Sequence, residues 1–387
     1  MDSIRMVRVV VTALLSLLAA GNSLRGEQSA PAGATYTNHH VITVPWSIHM
    51  VSWERRRAEF MLHSIHAGGA AVGLDRLSRQ ISRLNSQWGL VVAGINGDFY
   101  QREDTFAGDP RGCQIVEGEL ISAPNGDACF WVDALGEPHA GEVSSQLQVI
   151  WENGSSLPVG MNEDRKKMGV VLYTAAMGAS TPSIAGQDLV LERAGNGPWL
   201  PLRIGKTYTA KVREVRGGGG SALSPGTLVL SIKPSLVPKI PPVKVGTELT
   251  LSLASLPALQ GVRTAIGGGP VLVRGGKRQK IAGSSFGDYR YSTMMERHPR
   301  SAIGWNATHF FLMEVDGRQD ELSVGMTLSE LSEYLFKLGC TDAMNLDGGG
   351  SATLWFNGKV RNSPCDQRER EIANALVVTR KEISLPK

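Results

Sequence analysis

The stretch AMNLDGGGSATLWFNGKV (residues 343–360) places Asn345 and Asp347 immediately before three consecutive glycines and Ser351. Glycine tolerates steep turns and lets another molecule approach the main chain closely. Asp347 follows an apolar run that predicts a buried strand, and loops that follow strands commonly carry function. The glycines offer backbone N–H donors in an open space. A bare hairpin is the alternative, because Asp-Gly is a common turn pair.

Helix signals precede two buried strands. Thr327 and Glu330 match a capping box, and leucines 328, 331, 335 and 338 share one helix face until Gly339. Apolar residues also recur at helical spacing from Leu74 to Trp88, before the strand in LVVAGINGDFY (90–100). The stretch THFFLMEVDG (308–317) predicts a strand that is covered on both faces. We therefore expect an α+β fold, with a mixed β-sheet core and helices packed on it.

The middle of the chain contains strand and turn signals with few helical ones, which predicts a β-rich inserted subdomain. The expected organisation is a signal peptide (1–23), an N-terminal lead-in with strands (24–60), the first part of a catalytic domain (61–140), the β-rich subdomain or insertion (141–260) and a C-terminal core (261–387).

The N-terminus has the pattern of an export signal. Arg5 and Arg8 precede a twelve-residue apolar run from Val9 to Ala20, shorter than the ~20 residues that a membrane-spanning helix needs. A retained interfacial anchor is the alternative. We expect a secreted or periplasmic protein without a stable membrane span. The formal net charge of +4 is too small to indicate a nucleic-acid partner.

The four cysteines of an exported chain suggest disulfides. Of the three pairings that four cysteines allow, Cys113–Cys129 and Cys340–Cys365 are favoured, because each pair brackets a local strand–turn segment. Free buried thiols are the alternative. No cysteine has the spacing of a zinc site.

Glu314 and Asp316 are two residues apart in a predicted strand, so their carboxylates point to the same face. Such a pair could bind a metal or divide the roles of acid and base. The alternative is a solvated Glu314 and a simple turn at Asp316.

Three further motifs carry weaker signals. In RHPRSAIG, the Arg300 guanidinium suits phosphate oxygens and His298 could move a proton, although such residues often only face water. IGGGP (266–270) lacks the spacing of a nucleotide P-loop or a dinucleotide fold. GSSFG (283–287) matches a hydrolase nucleophile elbow but has no helix signal after it.

Taken in order, these motifs resemble the phosphodiester glycosidase family. The resemblance is carried by INGDFY (95–100), IGGGPVLV (266–273), HPRSAIG (298–304), VDGRQ (315–319), the capped helix and NLDGGGSAT (345–353). It implies a hydrolase that cleaves the bond between a sugar's anomeric carbon and a bridging phosphate. It also implies a sugar-phosphate or polysaccharide substrate, either an N-acetylglucosamine-1-phosphodiester or a bacterial cell-envelope sugar phosphate, and a role in exopolysaccharide or other carbohydrate metabolism.

The resemblance and the chemistry together assign site residues. We expect Asp347 and Asp316 to be catalytic; their separation would favour retention at ~5–5.5 Å and inversion at ~6.5–9.5 Å. The expected substrate-binding residues are Asn96, His298, Arg300, Asn345, Gly348, Gly349, Gly350 and Ser351. Asp98 and Glu314 depart from the family pattern and are not expected to be essential. We expect no required cofactor, and the alternative is that the protein binds a divalent metal ion.

Two other functions fit the sequence. One is a non-catalytic polysaccharide-binding or export-accessory protein, in which Arg300 and Asp347 would not converge. The other is a metal-dependent phosphodiesterase that uses Glu314, Asp316 and Asp347.

Overall fold

The computed structural model describes residues 22–29, 33–68, 72–84, 88–281 and 291–381. In chain order the first ten strands are β1 (Asn22–Ser29), β2 (Ala34–Val41), β3 (Trp46–Glu54), β4 (Phe60–His66), β5 (Asp75–Arg76), β6 (Leu90–Asn96), β7 (Gln114–Val116), β8 (Glu119–Ser122), β9 (Ala128–Val132) and β10 (Pro138–Glu142). The next eight are β11 (Ser144–Trp151), β12 (Ser156–Pro158), β13 (Gly160–Met161), β14 (Val170–Tyr173), β15 (Gln187–Arg193), β16 (Lys206–Gly217), β17 (Leu228–Ile232) and β18 (Glu248–Leu256). The last ten are β19 (Thr264–Gly267), β20 (Val271–Arg274), β21 (Lys277–Arg278), β22 (Arg300–Trp305), β23 (His309–Val315), β24 (Asp342–Asn345), β25 (Leu354–Phe356), β26 (Lys359–Val360), β27 (Glu371–Ile372) and β28 (Asn374–Arg380). The α-helices in the described ranges are α1 (Leu77–Ser82), α2 (Arg165–Met168), α3 (Tyr291–Met295) and α4 (Leu328–Lys337).

These strands form four sheets and a two-stranded ribbon. The central sheet has the order β1-β2-β3-β23-β22-β24-β20-β21, and the second sheet has the order β26-β25-β6-β28-β4. The third sheet is β10-β9-β19-β7-β8, and the ribbon pairs β27 with β5. A fourth sheet, β12-β11-β18-β16-β15-β17-β14-β13, is built entirely from strands between Ser144 and Leu256.

The central and second sheets share one hydrophobic core. Val51 and Leu312 of the central sheet belong to the same buried cluster as Ile95, Phe356 and Leu376 of the second sheet. A second cluster on the central sheet includes the buried leucines of α4. Burying a large aliphatic side chain contributes roughly 1.5–3 kcal/mol, so these two layers fix the position of the central strands.

The expected α+β fold class is wrong, because the described part of the chain is β-rich: 45% of it is strand and 11% is helix, with a nearly closed, barrel-like sheet. The segment from Leu74 to Trp88 shows why. Its helix spans only Leu77–Ser82 and directly follows the short strand β5. Leu84 and Trp88 lie outside the helix, but they still pack against the apolar cluster that contains Leu77 and Ile81 of the helix. Apolar spacing therefore predicted the burial of these residues but not their backbone conformation.

Other local predictions are confirmed. Thr327 accepts from the Glu330 backbone N–H and the Glu330 side chain accepts from the Thr327 N–H, which completes the capping box of α4. β23 lies between β3 and β22 and is buried along nearly its whole length. β6 is a buried strand that ends at Asn96.

The four cysteines are free thiols in the structure. Cys113 lies beside Cys129; burial raises the pKa of the Cys129 thiol, and the neighbouring Cys113 raises it further. Cys340 belongs to the core under α4, whereas Cys365 is partly exposed beside Asp366. The geometry thus brings together the first predicted pair and not the second.

Two sequence features fall outside the described residues: most of the predicted signal peptide (1–23) and the GSSFG motif (283–287). Within the described ranges, every helix is too short or too polar to cross a bilayer.

Two neighbouring residues of α4 test the contribution of its buried face. Leu335 is fully buried and Phe336 is 44% exposed. We expect Leu335→Ala to lower the free energy of unfolding by about 2–5 kcal/mol, because truncation leaves a cavity against the central sheet. The control Phe336→Ala should lower it much less. Urea unfolding of both variants would measure this, and equal losses would contradict the assigned packing.

Candidate functional site

The glycine loop (residues 347–351) follows β24, a strand in the interior of the central sheet. Each glycine has a steric reason to be there. A Cβ on Gly348 would lie 2.6 Å from the Pro299 carbonyl oxygen, and Gly349 has φ of +60°, which favours glycine. A Cβ on Gly350 would overlap the Arg370 guanidinium. The three glycines therefore let other chain segments approach the loop closely.

Asn96 holds the main chain of this loop in place. Its Nδ2 donates to the Asp347 carbonyl oxygen at 2.6 Å. Its Oδ1 accepts from the Ser301 hydroxyl at 2.6 Å and from the Thr353 backbone N–H at 3.0 Å. The side chain is only 1% exposed, so all of these bonds lie in the interior. Asn96 is thus a positioning residue for Asp347.

The Asp347 carboxylate is partly exposed, and its Oδ1 accepts from the Gly348 N–H at 2.9 Å. Burial raises its pKa to about 6, while Ser351, the Gly348 N–H and the charges of Arg102 and Arg370 act in the opposite direction. At neutral pH the group is therefore mostly ionised, yet it can accept a proton within a physiological range.

Arginines surround the glycine loop. Arg370 lies against Gly350 and forms an ion pair with Asp366 at 2.7 Å, and Arg102 acts electrostatically on Asp347. The Arg318 Nη2 lies 3.1 Å from the position that a Gly349 Cβ would occupy. Sequence reasoning did not select these three residues, although Arg318 belongs to the VDGRQ motif.

A cavity of about 420 Å³ has Tyr100, Arg102 and Arg370 in its wall, and Arg370 also lies against Gly350 of the glycine loop. Arg76 and Arg368 line it as well, together with the carboxylates of Asp366, Glu369 and Glu371. Arg102, Arg370 and Tyr100 are all close enough to Asp347 to interact with it electrostatically. The cavity therefore offers room for a ligand and arginine side chains that suit phosphate oxygens.

Arg300 lies close to Asp347, but its guanidinium donates hydrogen bonds to backbone carbonyl oxygens. Its Nε donates to the Met326 carbonyl oxygen at 2.8 Å, and its Nη2 donates to the carbonyl oxygens of Thr293 and Glu296 at 2.6 and 2.9 Å. Burial and the charge of Arg318 lower its pKa to about 10, whereas Asp347 raises it. Arg300 thus ties the start of β22 to its surroundings and adds positive charge near the loop.

His298 contacts Arg318: the Arg318 Nη2 lies 3.3 Å from His298 Nδ1. Burial lowers the pKa of His298, and the charges of Arg300 and Arg318 lower it further. The imidazole is therefore predominantly neutral at neutral pH and can accept a hydrogen bond from Arg318.

Two other predicted residues frame the loop. Asn345 is buried, and its Nδ2 donates to the carbonyl oxygens of Gly269 and Leu346 at 2.8 and 2.7 Å, which links β24 to the IGGGP turn. The Ser351 hydroxyl is also buried, and it has no hydrogen-bond partner at standard distance among the described residues. Burial raises the pKa of both Tyr100 and Asp347, and the Ser351 hydroxyl lies near enough to both to oppose this shift, so it is a candidate contact for substrate.

Asp316 lies in a different environment. Its Oδ2 is 2.8 Å from His49 Nε2, and its Oδ1 accepts from the Ser363 N–H at 2.7 Å. Among the described residues, the cluster that resembles a metal site is His49, Glu314 and Asp316, without Asp347. The structure therefore does not assemble Glu314, Asp316 and Asp347 into one metal site, and it engages Asp316 with groups outside the glycine loop.

Asp98 is a buried acid that was not expected to be essential. Its two oxygens accept from the N–H groups of Phe99 and Gly112 at 2.8 and 2.7 Å. Burial raises its pKa to about 7, and the nearby charge of Asp347 raises it as well. Two carboxyl groups with pKa values shifted toward neutrality thus lie near one another, an arrangement typical of acid–base sites.

Comparisons with known proteins find related sequences and folds. Residues 207–379 match the model of the phosphodiester glycosidase family, a range that contains the glycine loop. N-acetylglucosamine-1-phosphodiester alpha-N-acetylglucosaminidase of Bos taurus is 40% identical over 68 residues, 17% of this chain and 12% of the relative. An uncharacterized SPbeta prophage-derived protein of Bacillus subtilis is 30% identical over 121 residues, 31% of this chain and 18% of the relative. The chain thus spans less than a fifth of the length of these curated relatives.

Two crystal structures share the fold over most of the chain. A hypothetical protein from Synechocystis superposes with a TM-score of 0.74 at 19% identity, covering 93% of this chain and 68% of the other. A protein of Burkholderia pseudomallei, described as a "putative exported protein", superposes with a TM-score of 0.67 at 22% identity. The superposition covers 89% of this chain and 77% of the other. The match of residues 207–379 to the family model confirms the resemblance seen in the motifs: this part of the chain is similar to phosphodiester glycosidases.

Proposed function

We propose that this protein is an exported hydrolase that cleaves the sugar-1-phosphate bond of a glycosyl phosphodiester. The substrate class is an N-acetylglucosamine-1-phosphodiester or a related sugar phosphate of the bacterial cell envelope. The family match over residues 207–379 supports the reaction class. Part of the substrate assignment comes from the curated relatives whose names specify N-acetylglucosamine-1-phosphodiesters.

The observation that carries the proposal is a carboxylate with arginines close to it. Asp347 can be ionised at neutral pH, and the charges of Arg102 and Arg370 both act on it. A glycosyl phosphodiester presents the complementary pattern, with an anionic phosphate directly attached to an anomeric carbon that becomes cationic. A site for it needs a carboxylate near the sugar and guanidinium groups near the phosphate.

The proposed reaction adds water across the bond between the anomeric carbon and the phosphate oxygen. As the bond breaks, positive charge develops on the sugar ring, and the electron pair leaves with the phosphate. Asp347 either attacks the anomeric carbon or removes a proton from the attacking water. The products are a free sugar and a phosphomonoester. Because the departing phosphate diester oxygen is a good leaving group, one carboxylate suffices, and Asp316 is not required at the anomeric centre.

The neighbouring residues have separate roles in this scheme. Arg102 and Arg370 bind the phosphate oxygens, and the Ser351 hydroxyl is available for a hydrogen bond to the substrate. Asn96 acts through Asp347 by fixing its main chain. These assignments place the sugar over Asp347 and the phosphate toward the arginine-lined cavity.

The first test removes the charge of Asp347. We expect Asp347→Asn to lower kcat for a synthetic N-acetylglucosamine-1-phosphodiester by roughly 10²–10⁴-fold, the usual contribution of a nucleophile or general base. Asp342→Asn is the matched control, because Asp342 begins the same strand but accepts from the Gly275 N–H instead. Full activity of Asp347→Asn would rule out the proposed role.

The second test concerns phosphate binding by Arg370. The variant Arg370→Gln should raise KM for the phosphodiester about tenfold or more, because a charge-assisted, bidentate contact is lost. The exposed Arg193 of β15 provides the control as Arg193→Gln, since its Nε donates to the nearby Gly195 carbonyl oxygen. Steady-state kinetics would separate KM from kcat, and an unchanged KM would contradict phosphate binding at this residue.

The third test uses pH. Because the pKa of Asp347 is raised to about 6 and the ionised form is the active one, kcat/KM should fall as pH drops through about 6. Arg370 lowers this pKa, so Arg370→Gln should move the acidic limb to higher pH. A pH–rate profile with an acidic limb near 4 in both proteins would mean that Asp347 does not control the rate.

A further inference from the structure

A second polar cluster lies in the interior between β3 and β23. His49 of β3 pairs directly across the sheet with Glu314 of β23, and Asp316 follows two residues later. The three side chains are 4%, 0% and 1% exposed. One nitrogen or oxygen atom from each lies within 4.8 Å of the others. A histidine and two acids are therefore concentrated in a space closed to solvent.

Glu314 is the anomaly in this cluster. Neither of its carboxyl oxygens has a hydrogen-bond partner among the described residues. The Asn362 amide lies near Glu314 and donates from its Nδ2 to the Ala352 carbonyl oxygen, but it does not reach a Glu314 oxygen at hydrogen-bond distance. A buried carboxylate without partners is strongly unfavourable. Protonation alone does not resolve this, because the resulting O–H also needs an acceptor.

Ion pairing does not neutralise the cluster either. In the described part of the chain, His49 is the ion-pair partner of Asp316, and Glu314 takes part in no ion pair. Buried carboxylates of this kind are usually paired with a cation or bind a metal.

The surrounding contacts fit a metal ligand set. His49 Nδ1 is 2.8 Å from the Tyr36 hydroxyl, which leaves Nε2 facing Asp316. Metal-bound histidines usually donate the other ring N–H to such an outer partner. The Ser363 N–H holds Asp316 Oδ1, and the Ser47 hydroxyl lies 3.0 Å from His49 Nε2 as a fourth polar group.

We propose that His49, Glu314 and Asp316 bind one structural Zn²⁺ ion between β3 and β23. Zinc takes nitrogen and carboxylate ligands in a compact four-coordinate geometry at ~2.0–2.2 Å, so ligand atoms lie roughly 3–4 Å apart. The candidate ligand atoms already lie within 4.8 Å of one another, and His49 Nε2 is 2.8 Å from Asp316 Oδ2. Calcium needs six to eight oxygens, which this closed space does not offer. The ion neutralises the two carboxylates and joins two strands of the central sheet.

The test begins with metal analysis of the full chain purified without chelators. We expect about one Zn²⁺ per chain, and a higher Tm for this protein than for protein unfolded and refolded with a chelator. Adding Zn²⁺ during refolding should restore the Tm. Protein that contains no zinc, and whose Tm does not respond to Zn²⁺ during refolding, would overturn the proposal.

Variants locate the ion. Glu314→Gln should reduce zinc content at least tenfold, whereas the control Asp188→Asn, at a buried carboxylate that accepts from Thr181, Ser221 and Ser231, should retain it. Tyr36→Phe keeps all three ligands but removes the outer partner of His49, so it should weaken Zn²⁺ binding about 10–100-fold. This variant provides the test if Glu314→Gln does not fold. Unchanged zinc affinity in these variants would place the ion elsewhere and contradict the proposed site. None of these readouts depends on glycosidase activity.

Discussion

The buried carboxamide of Asn96 is the contact on which the candidate site depends. It lies at the end of β6 in the second sheet and bonds Ser301 in the central sheet, Thr353 before β25 and the main chain of Asp347. A buried amide that loses its partners costs about 1–3 kcal/mol, so these bonds favour the observed packing of the two sheets. The position of Asp347 is therefore fixed by sheet packing and not by its own loop.

The glycine loop also sets the electrostatic environment of Asp347. Without side chains at residues 348–350, arginine side chains can reach the loop and interact with Asp347. Burial raises the pKa of this carboxyl group and the arginines lower it, which leaves it at about 6. A bound phosphate would offset part of the arginine charge and favour the protonated acid. The carboxylate would thus become a stronger base when substrate is present.

The sequence predicted those features that depend on neighbours along the chain. The capping box of α4, the buried strand β23 and the turn after Asp347 all rest on residues within a few positions of each other. It failed where distant segments decide the outcome. Arg102 and Arg370 reach Asp347 only through the fold, and no spacing rule marks them. The helix expected up to Trp88 ends at Ser82 because the sheets, and not a long helix, cover the core.

The acids Glu314 and Asp316 show the same limit: strand alternation predicts the face on which a side chain lies, but not the distant segment that it meets. It correctly placed Glu314 in β23 and Asp316, one residue past its end, on the same side, but it could not tell which partner that side would meet. The register answers this question: Glu314 lies opposite His49 on one side and opposite Ser301 on the other. Ser301 in turn donates to Asn96, so the buried acids adjoin the contact that positions Asp347. Any group that neutralises Glu314 therefore also stabilises the strand pairing on which the glycine loop rests.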